Sequence, residues 1–161
     1  MKVGIANDHG GYELKTKILP FLVDELGLEI LDFGCGSTDI VRYPYYAAKV
    51  CNAIINHEID KGILICSTGI GMSIAANKFK GIRAALVDNS YSAEMTTRHN
   101  NSNVICLGGR CIGDFNAIDF LRRWFGASFD GGRHSISLGI IEEIEEVDFS
   151  GLTYTPPIEE K

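Results

Sequence analysis

The chain has 161 residues, of which 45% are hydrophobic, and this is enough for one compact domain with its own core. Its formal net charge of −6 argues against nucleic acid or an anionic membrane as a partner, because no block of lysine or arginine offsets the acidic residues. The first apolar run is too short for a secretion signal and no later run could span a bilayer, so we expect a cytoplasmic protein whose five cysteines stay reduced.

Short apolar runs alternate with helical stretches along the chain. The predicted elements, in order, are strand Lys2–Ala6, helix Tyr12–Leu26, strand Glu29–Phe33, helix Tyr45–His57, strand Gly62–Cys66, helix Ile70–Lys78, strand Arg83–Val87, helix Tyr91–Arg98, strand Asn103–Leu107, helix Phe115–Phe125 and an amphipathic helix over Ile140–Val147. This alternation predicts an α/β fold, a Rossmann-like doubly wound five-stranded parallel sheet in three α/β/α layers, with an extra C-terminal helix. Residues 1–147 form the single predicted domain, and 148–161 an extended tail.

The clearest chemical signal lies at the end of the third predicted strand. Cys66 follows an apolar run and precedes a loop of small residues, 67–73, that leads into a helix. Ligands of doubly wound sheets bind outside the carboxyl ends of the strands. Backbone N–H groups and the positive end of a helix dipole stabilise a thiolate at such a place, so Cys66 is a candidate base or nucleophile. The cysteines predicted to pack in the core instead are Cys35, Cys51, Cys106 and Cys111.

Three other chemistries share this layout of strand and loop. A cysteine phosphatase needs an arginine six positions after the cysteine, where this chain has Met72. A Walker loop needs a lysine and a hydroxyl residue after its last glycine, and no such string occurs. A dinucleotide fingerprint is matched in part by Gly69, Gly71 and the later Asp88, although Ile74 replaces the third glycine. A nucleotide-binding module therefore stays an alternative function.

Further polar residues follow the other strands and helices. Asp8–His9 places an acid beside an imidazole, which suits polarisation of a hydroxyl or carbonyl, although an aspartate there also suits a helix cap. Arg110 and Arg133–His134 each stand directly behind two glycines, an arrangement suited to phosphate binding. His99 ends a helix, where a basic residue also suits the dipole without any catalytic role. The histidines show no i, i+4 spacing, so no metal site is predicted.

Six segments of the chain form one ordered pattern: Asn7–Gly11, Tyr43–Pro44, Cys66–Lys78, Gly81–Ala85, His99–Asn100 and Gly131–His134. Together they resemble the type B ribose-5-phosphate isomerases and their galactose-6-phosphate isomerase relatives. The resemblance covers about residues 2–147. It implies a Rossmann-like homodimer that interconverts phosphorylated aldoses and ketoses without a metal or other cofactor.

The resemblance also implies a role for each site residue. Cys66 would be the base that moves a proton between C1 and C2, and Thr68 and the amides of Gly69 to Ser73 would stabilise the enediolate. His99, with Asp8 near it, would open the furanose ring. The residues that would bind the sugar or its phosphate, some of them from a second subunit, are His9, Ser67, Gly69, Ile70, Gly71, Met72, Ser73, Asn100, Arg110, Arg133 and His134.

Two positions depart from the pattern of that family. Ser67 replaces a glycine, and Ser137 stands where a further phosphate-binding arginine is common. The expected reaction is the interconversion of ribose 5-phosphate and ribulose 5-phosphate through an enediolate. The alternatives are the same chemistry on a six-carbon sugar phosphate, such as allose or galactose 6-phosphate, and the non-catalytic nucleotide-binding module. The expected partners are a sugar phosphate and a second copy of the chain, with pairing into tetramers left open, and neither nucleic acid nor a membrane.

Overall fold

A computed structural model describes residues 1–146, so the predicted tail at 148–161 lies outside the described residues. The elements are β1 (Lys2–Asn7), α1 (Tyr12–Pro20), β2 (Glu29–Asp32), α2 (Tyr43–Ile55), β3 (Lys61–Cys66), α3 (Ile70–Ala76), β4 (Ala84–Leu86), α4 (Ser90–Asn100), β5 (Val104–Gly108), α5 (Asp114–Gly126) and α6 (Arg133–Glu146). A π-helical segment, Phe21–Glu25, continues α1 beyond Pro20, which has no N–H for the regular helical bond. None of the helices within 1–146 is long and apolar enough to cross a membrane.

The strands form one parallel sheet in the order β2-β1-β3-β5-β4, which confirms the predicted doubly wound α/β fold. From β1 the chain continues to β2, at one end of the strand order, and from β3 it continues to β4 and β5, at the other end. The direction in which strands are added therefore reverses between the paired strands β1 and β3, which end at Asn7 and Cys66. In sheets of this kind the crevice at such a point binds the ligand.

Apolar side chains cover both faces of the sheet and give the predicted three layers. One face packs against α1 and α5 through residues such as Ile18 and Leu121. The other packs against α2 and α3 through residues such as Val50 and Met72. Cys66 belongs to the second face, because alternate strand residues point to opposite sides of a sheet.

Helices α1 to α5 run antiparallel to the strands, so each of these five helices ends at the amino edge of the sheet. This direction determines at which edge of the sheet the last residues of α4 lie. Asn103, just beyond α4, accepts a hydrogen bond from Gly62 at the beginning of β3, with 2.9 Å between Gly62 N and Asn103 O. The last turn of α4 therefore lies at the edge opposite to Cys66.

Helix α6 is longer than predicted and none of its residues is buried. It begins at Arg133 rather than near Ile140, because Gly131 and Gly132 adopt positive φ values of 66° and 56° and turn the chain immediately before it. The helix begins against the end of α4. Arg133 and His134 are therefore residues of its first turn.

Candidate active site

Cys66 ends β3 at the carboxyl edge of the sheet, and 5% of its surface is exposed. Its Sγ atom accepts a hydrogen bond from the backbone N–H of Gly69, with 3.1 Å between sulfur and nitrogen. Gly69 has a φ of +78°, and a side chain there would bring Cβ to 3.0 Å from the carbonyl carbon of Leu107. A glycine is therefore needed at position 69 to turn the amide toward the sulfur, where it stabilises negative charge.

Two further amides of the loop after Cys66 are already paired. The N–H of Ile70 donates to Thr68 Oγ1 at 3.3 Å, and the N–H of Ser73 donates to the carbonyl of Gly69 at 3.0 Å. Because the Thr68 hydroxyl oxygen accepts this bond, its O–H group is free to donate to a ligand. Thr68 is exposed, so a substrate can reach that group.

The backbone N–H groups of Gly71 and Met72 are available to bind an anion. They lie in the first turn of the helix, where backbone N–H groups have no intrahelical acceptor. The Met72 side chain is fully buried in the core, so of this predicted substrate-binding residue only the main chain can meet a substrate. A side chain at Gly71 would place Cβ 2.9 Å from the Tyr43 ring, which packs over the loop.

Asp8 organises the loop after β1 and does not cap α1. Its Oδ1 atom accepts the N–H groups of Gly10 and Gly11 at 2.8 and 3.2 Å, and the residue that precedes α1 is Gly11, without a side-chain cap. Next to it, His9 Nδ1 accepts the N–H of Val41 at 3.4 Å. In a neutral imidazole this leaves the proton on Nε2, which can donate to a ligand.

The loops after β1, β3 and β5 are joined at this edge. The N–H groups of Gly109 and Arg110 donate to the carbonyls of Cys66 and Ser67 at 2.7 and 3.0 Å. A Cβ atom at Gly10 would lie 2.1 Å from Ser67 Oγ, so the Ser67 hydroxyl packs directly on the backbone of the first loop. We call Asp8, His9, Cys66, Thr68 and Arg110 the Cys66 group.

A second set of predicted site residues lies at the other edge of the sheet. His99 and Asn100 form the end of α4, and Arg133 and His134 the beginning of α6. The rings of His99 and His134 stack with centroids 4.3 Å apart and an angle of 9° between their planes. We call these four residues the His99 group. Asn100 also lines a cavity of about 420 Å³ between β4, α4 and α6.

The expectation that Asp8 lies near His99 is wrong within one chain. Asp8 follows β1 at the carboxyl edge, whereas His99 lies in the last turn of α4 at the amino edge. Helix α4 has 11 residues and is therefore about 16 Å long at 1.5 Å per residue. The carboxylate that does lie near His99 belongs to Asp130, because polar atoms of His99, Asp130 and His134 lie within 4.8 Å of one another.

These three residues are also the ones within 1–146 that could hold a metal ion. Ring nitrogens bind a metal through lone pairs in the plane of the ring. Two parallel stacked rings direct these lone pairs side by side rather than toward one point. Burial lowers the pKa of His134, and the nearby His99 and Arg133 lower it further, while Asp130 acts in the opposite direction.

Three of the other four cysteines pack in the core as predicted: Cys35, Cys51 and Cys106. Burial raises the pKa of Cys51 to about 12 and that of Cys106 well above its ordinary value, so both stay protonated thiols. The prediction for Cys111 was wrong. This residue is exposed, because it lies in the turn after β5 rather than in the strand itself.

The sequence pattern of the family described as Ribose/Galactose Isomerase matches residues 3–141, which is most of the chain. The chain belongs to this family. It is 43% identical over 145 residues to the ribose-5-phosphate isomerase B of Escherichia coli strain K12, a match that covers 90% of this chain and 97% of that protein.

Solved structures of the family share the fold. The ribose-5-phosphate isomerase B of Clostridium thermocellum matches with a TM-score of 0.88 and 49% identity, covering 91% of this chain and 98% of that one. The enzyme of the same name from Mycoplasma genitalium, solved with bound ribulose-5-phosphate, matches with a TM-score of 0.84 and 37% identity over 90% and 96% of the two chains. The family likeness therefore extends over the whole described sheet and its helices.

The structure also adds residues to the site that the sequence did not single out. Val41 fixes His9 through a backbone N–H. Lys15 is 4% exposed and joins Asp32 to the carbonyl of Cys35, with Nζ to oxygen distances of 2.7 and 3.1 Å. Asp130 lies beside the His99 group. Of these residues, only Asp130 could have been found from the local sequence, because it directly precedes the two glycines before Arg133.

Proposed function

We propose that this protein is an isomerase that interconverts ribose 5-phosphate and ribulose 5-phosphate, with Cys66 as its base. Its membership of the family and its identity with ribose-5-phosphate isomerases B support the reaction. The observation that carries the mechanism is the position of Cys66 Sγ at the β1/β3 crevice, 3.1 Å from the Gly69 amide and close in the chain to the Gly71 and Met72 amides, which have no intrahelical acceptor.

The chemistry at this loop begins when the Cys66 thiolate removes the proton from C2 of the open-chain aldose. The C–H electron pair forms the C1–C2 double bond, and the negative charge moves to O1. The thiol returns the proton to C1 while a proton passes from O2 to O1, which gives the ketose. The Gly71 and Met72 amides and the Thr68 hydroxyl are the donors for the charged oxygen, and such donors supply a large part of catalysis in water-excluded sites. This sequence of steps uses no metal ion.

The phosphate requires cations that are not already neutralised by carboxylates. Among residues 1–146, neither Arg110 nor Arg133 has a carboxylate within ion-pair distance, whereas Arg98, Arg122 and Arg123 each do. In a chain with a net charge of −6, such unpaired guanidinium groups are suited to a dianionic ligand.

The complete site consists of residues from two copies of the chain. Within one copy the Cys66 group and the His99 group lie at opposite edges of the sheet, so a single copy cannot place both on one sugar phosphate. An apolar surface next to Cys66 supports pairing: Ile70, Ile74, Leu86 and Tyr91 are 50, 56, 43 and 74% exposed around the edge strand β4. A homodimer through this surface would cover it and bring the partner copy to the Cys66 loop.

A six-carbon sugar phosphate is the second candidate substrate, and Ser67 is the observation that favours it. The Ser67 hydroxyl lies between the first and third loops, where it can bind an additional sugar hydroxyl. Purified protein should be assayed with ribose, allose and galactose phosphates in parallel. A higher kcat/KM for ribose 5-phosphate supports the proposal, and a higher value for a hexose phosphate replaces it with the second candidate. With its reduced thiols, we expect the enzyme to act in the cytoplasm.

A further inference from the structure

Asp130 lies in the segment between α5 and α6 and binds this segment to the end of α4. The N–H of Asp130 donates to the carbonyl of Arg98 at 2.9 Å. In the other direction, Arg98 Nε lies 3.2 Å from each oxygen of the Asp130 carboxylate. Main chain and side chain therefore hold the same two residues together, and this fixes the carboxylate next to His99.

Arg98 also contacts a second carboxylate, which comes from α4. Its Nη1 atom lies 3.3 Å from Glu94 Oε1, one turn earlier in the helix. Glu94 also pairs with Arg123 of α5 at 3.7 Å. The guanidinium therefore lies between two carboxylates, Glu94 on one side and Asp130 on the other, of which Asp130 is the one beside the histidines.

The polar atoms of Asp130 reach both rings of the stacked histidine pair. They lie within 4.8 Å of a ring nitrogen of His99 and of His134, while the two rings are stacked 4.3 Å apart. The positive φ values of Gly131 and Gly132 allow the chain to turn between Asp130 and α6, so that His134 returns over His99. One carboxylate therefore lies beside two imidazoles that come from different helices.

We propose that Asp130 is a positioning residue for the His99–His134 pair: its carboxylate, fixed by Arg98, holds the two stacked imidazoles in the orientation in which they meet a sugar phosphate bound to the Cys66 group of a second copy. This inference rests on the proposed function and adds to it a residue that does not touch the substrate. A carboxylate beside an imidazole sets both its orientation and the site of its proton.

The charges around the pair are consistent with this role. The groups that face His134 are His99 on α4, Arg133 on α6 and Asp130 on the connecting segment. The first two repel a proton on His134, and Asp130 alone attracts one. Without the carboxylate, nothing among these groups would oppose the repulsion of a proton on His134 by His99 and Arg133. The two rings would also lose the group that fixes their orientation.

The test compares Asp130→Asn with Glu94→Gln, which removes the other carboxylate on Arg98 and leaves Asp130 in place. The first readout is an NMR titration of the histidines in the full-length protein. Asp130→Asn should lower the pKa of His134, and Glu94→Gln should leave it unchanged. This measurement needs no turnover, so it decides whether Asp130 controls the pair even if the protein isomerises none of the sugar phosphates tested.

The second readout is isomerisation of ribose 5-phosphate. Asp130→Asn should lower kcat/KM about tenfold or more with an unchanged melting temperature, Asp130→Glu should restore most of it, and Glu94→Gln should stay within about twofold of wild type. The proposal is overturned if His134 titrates identically in wild type and Asp130→Asn, if Asp130→Asn keeps full activity, or if Glu94→Gln loses as much activity as Asp130→Asn.

Discussion

Cys66 and His99 occupy opposite edges of the same sheet: Cys66 is the last residue of β3, and His99 lies in the last turn of α4, which runs back toward the amino ends of the strands. A helix of a parallel α/β fold necessarily returns in this direction before the next strand. No rotation of either side chain brings the two residues onto one small ligand. A base at Cys66 and a ring-opening group at His99 therefore require two copies of the chain.

Replacement of Cys66 by alanine should lower kcat by several orders of magnitude, because the variant has no group to take the C2 proton. The loss of one sulfur atom should cost about 1 kcal/mol of unfolding free energy or less, so the fold should persist. Steady-state kinetics and thermal melting of Cys66→Ala test both parts. Cys111→Ser is the control, since it removes an exposed thiol close to the same loop. Near-normal turnover by Cys66→Ala would remove this residue from the mechanism.

Replacement of Arg133 by alanine should raise KM for a sugar phosphate about 10- to 100-fold, which corresponds to the ~1.5–3 kcal/mol of a charge-assisted hydrogen bond. Inhibition by inorganic phosphate should weaken in parallel. Arg122→Ala is the matched control, because Arg122 is exposed and already paired with Glu25. If the control raises KM equally, the effect is one of overall charge rather than of phosphate binding at Arg133.

Replacement of His99 by alanine should remove assistance to ring opening. Ribose 5-phosphate is mainly a closed furanose, so the variant depends on the open form that arises spontaneously. The variant should lose about 10²-fold or more in kcat/KM for ribose 5-phosphate. Its rate should also reach a ceiling as the enzyme concentration is raised, because spontaneous opening then becomes limiting. Initial rates over a range of enzyme concentrations, with Asn101→Ala as a neighbouring control, test this. A rate that stays proportional to the concentration of the variant up to the wild-type rate would assign His99 another role.

The stability of the protein should fall at alkaline pH because of Cys51. Its pKa is raised to about 12 by burial, whereas the unfolded thiol ionises near pH 9. Between these pH values the folded state holds a proton that the unfolded state releases. The contribution of the Cys51 thiol to the free energy of unfolding is therefore complete below pH 9 and is lost as the pH rises toward 12. Urea unfolding of wild type and Cys51→Ala, near pH 8 and about pH 10.5, should show a smaller stability difference at the higher pH. A constant difference would contradict the assignment.

Chelation of divalent cations should leave turnover unchanged, because the loop amides and the Thr68 hydroxyl serve as donors for the charged oxygen. Dialysis against EDTA followed by the isomerase assay tests this. A loss of activity that added Zn²⁺, Mn²⁺ or Mg²⁺ restores would instead place an ion in the site, and His99, Asp130 and His134 would be the residues to examine first.

The features that could be predicted from the sequence are those that depend on residues close together in the chain. An apolar run followed by small residues was sufficient to place Cys66 at the end of a strand, and two glycines before Arg133 marked a sharp turn. The alternation of strands and helices predicted a doubly wound sheet. These features depend on neighbours in the chain, and a single sequence records such neighbours directly.

What the sequence did not predict depends on contacts between distant residues. The proximity of Asp130 to His99 arises where the segment after α5 returns to α4, and no spacing in the chain indicates it. Met72 was expected to contribute its amide to the ligand-binding loop, but no spacing in the chain indicated that tertiary packing turns its side chain into the core. The position of His99 relative to Cys66 follows from the direction of α4, which separates residues that the motifs had placed in one site.

Mixing two inactive variants tests the two-copy site most directly. Cys66→Ala chains and chains that carry both His99→Ala and Asp130→Asn are unfolded together, refolded as a mixture and assayed with ribose 5-phosphate. In a mixed dimer, one of the two sites receives an intact Cys66 group from one copy and an intact His99 group from the other. Random pairing should therefore restore about one quarter of wild-type activity per chain. If the mixture shows only the residual activity of the two separate variants, the Cys66 group and the His99 group do not complete each other across two copies, and a shared site is contradicted.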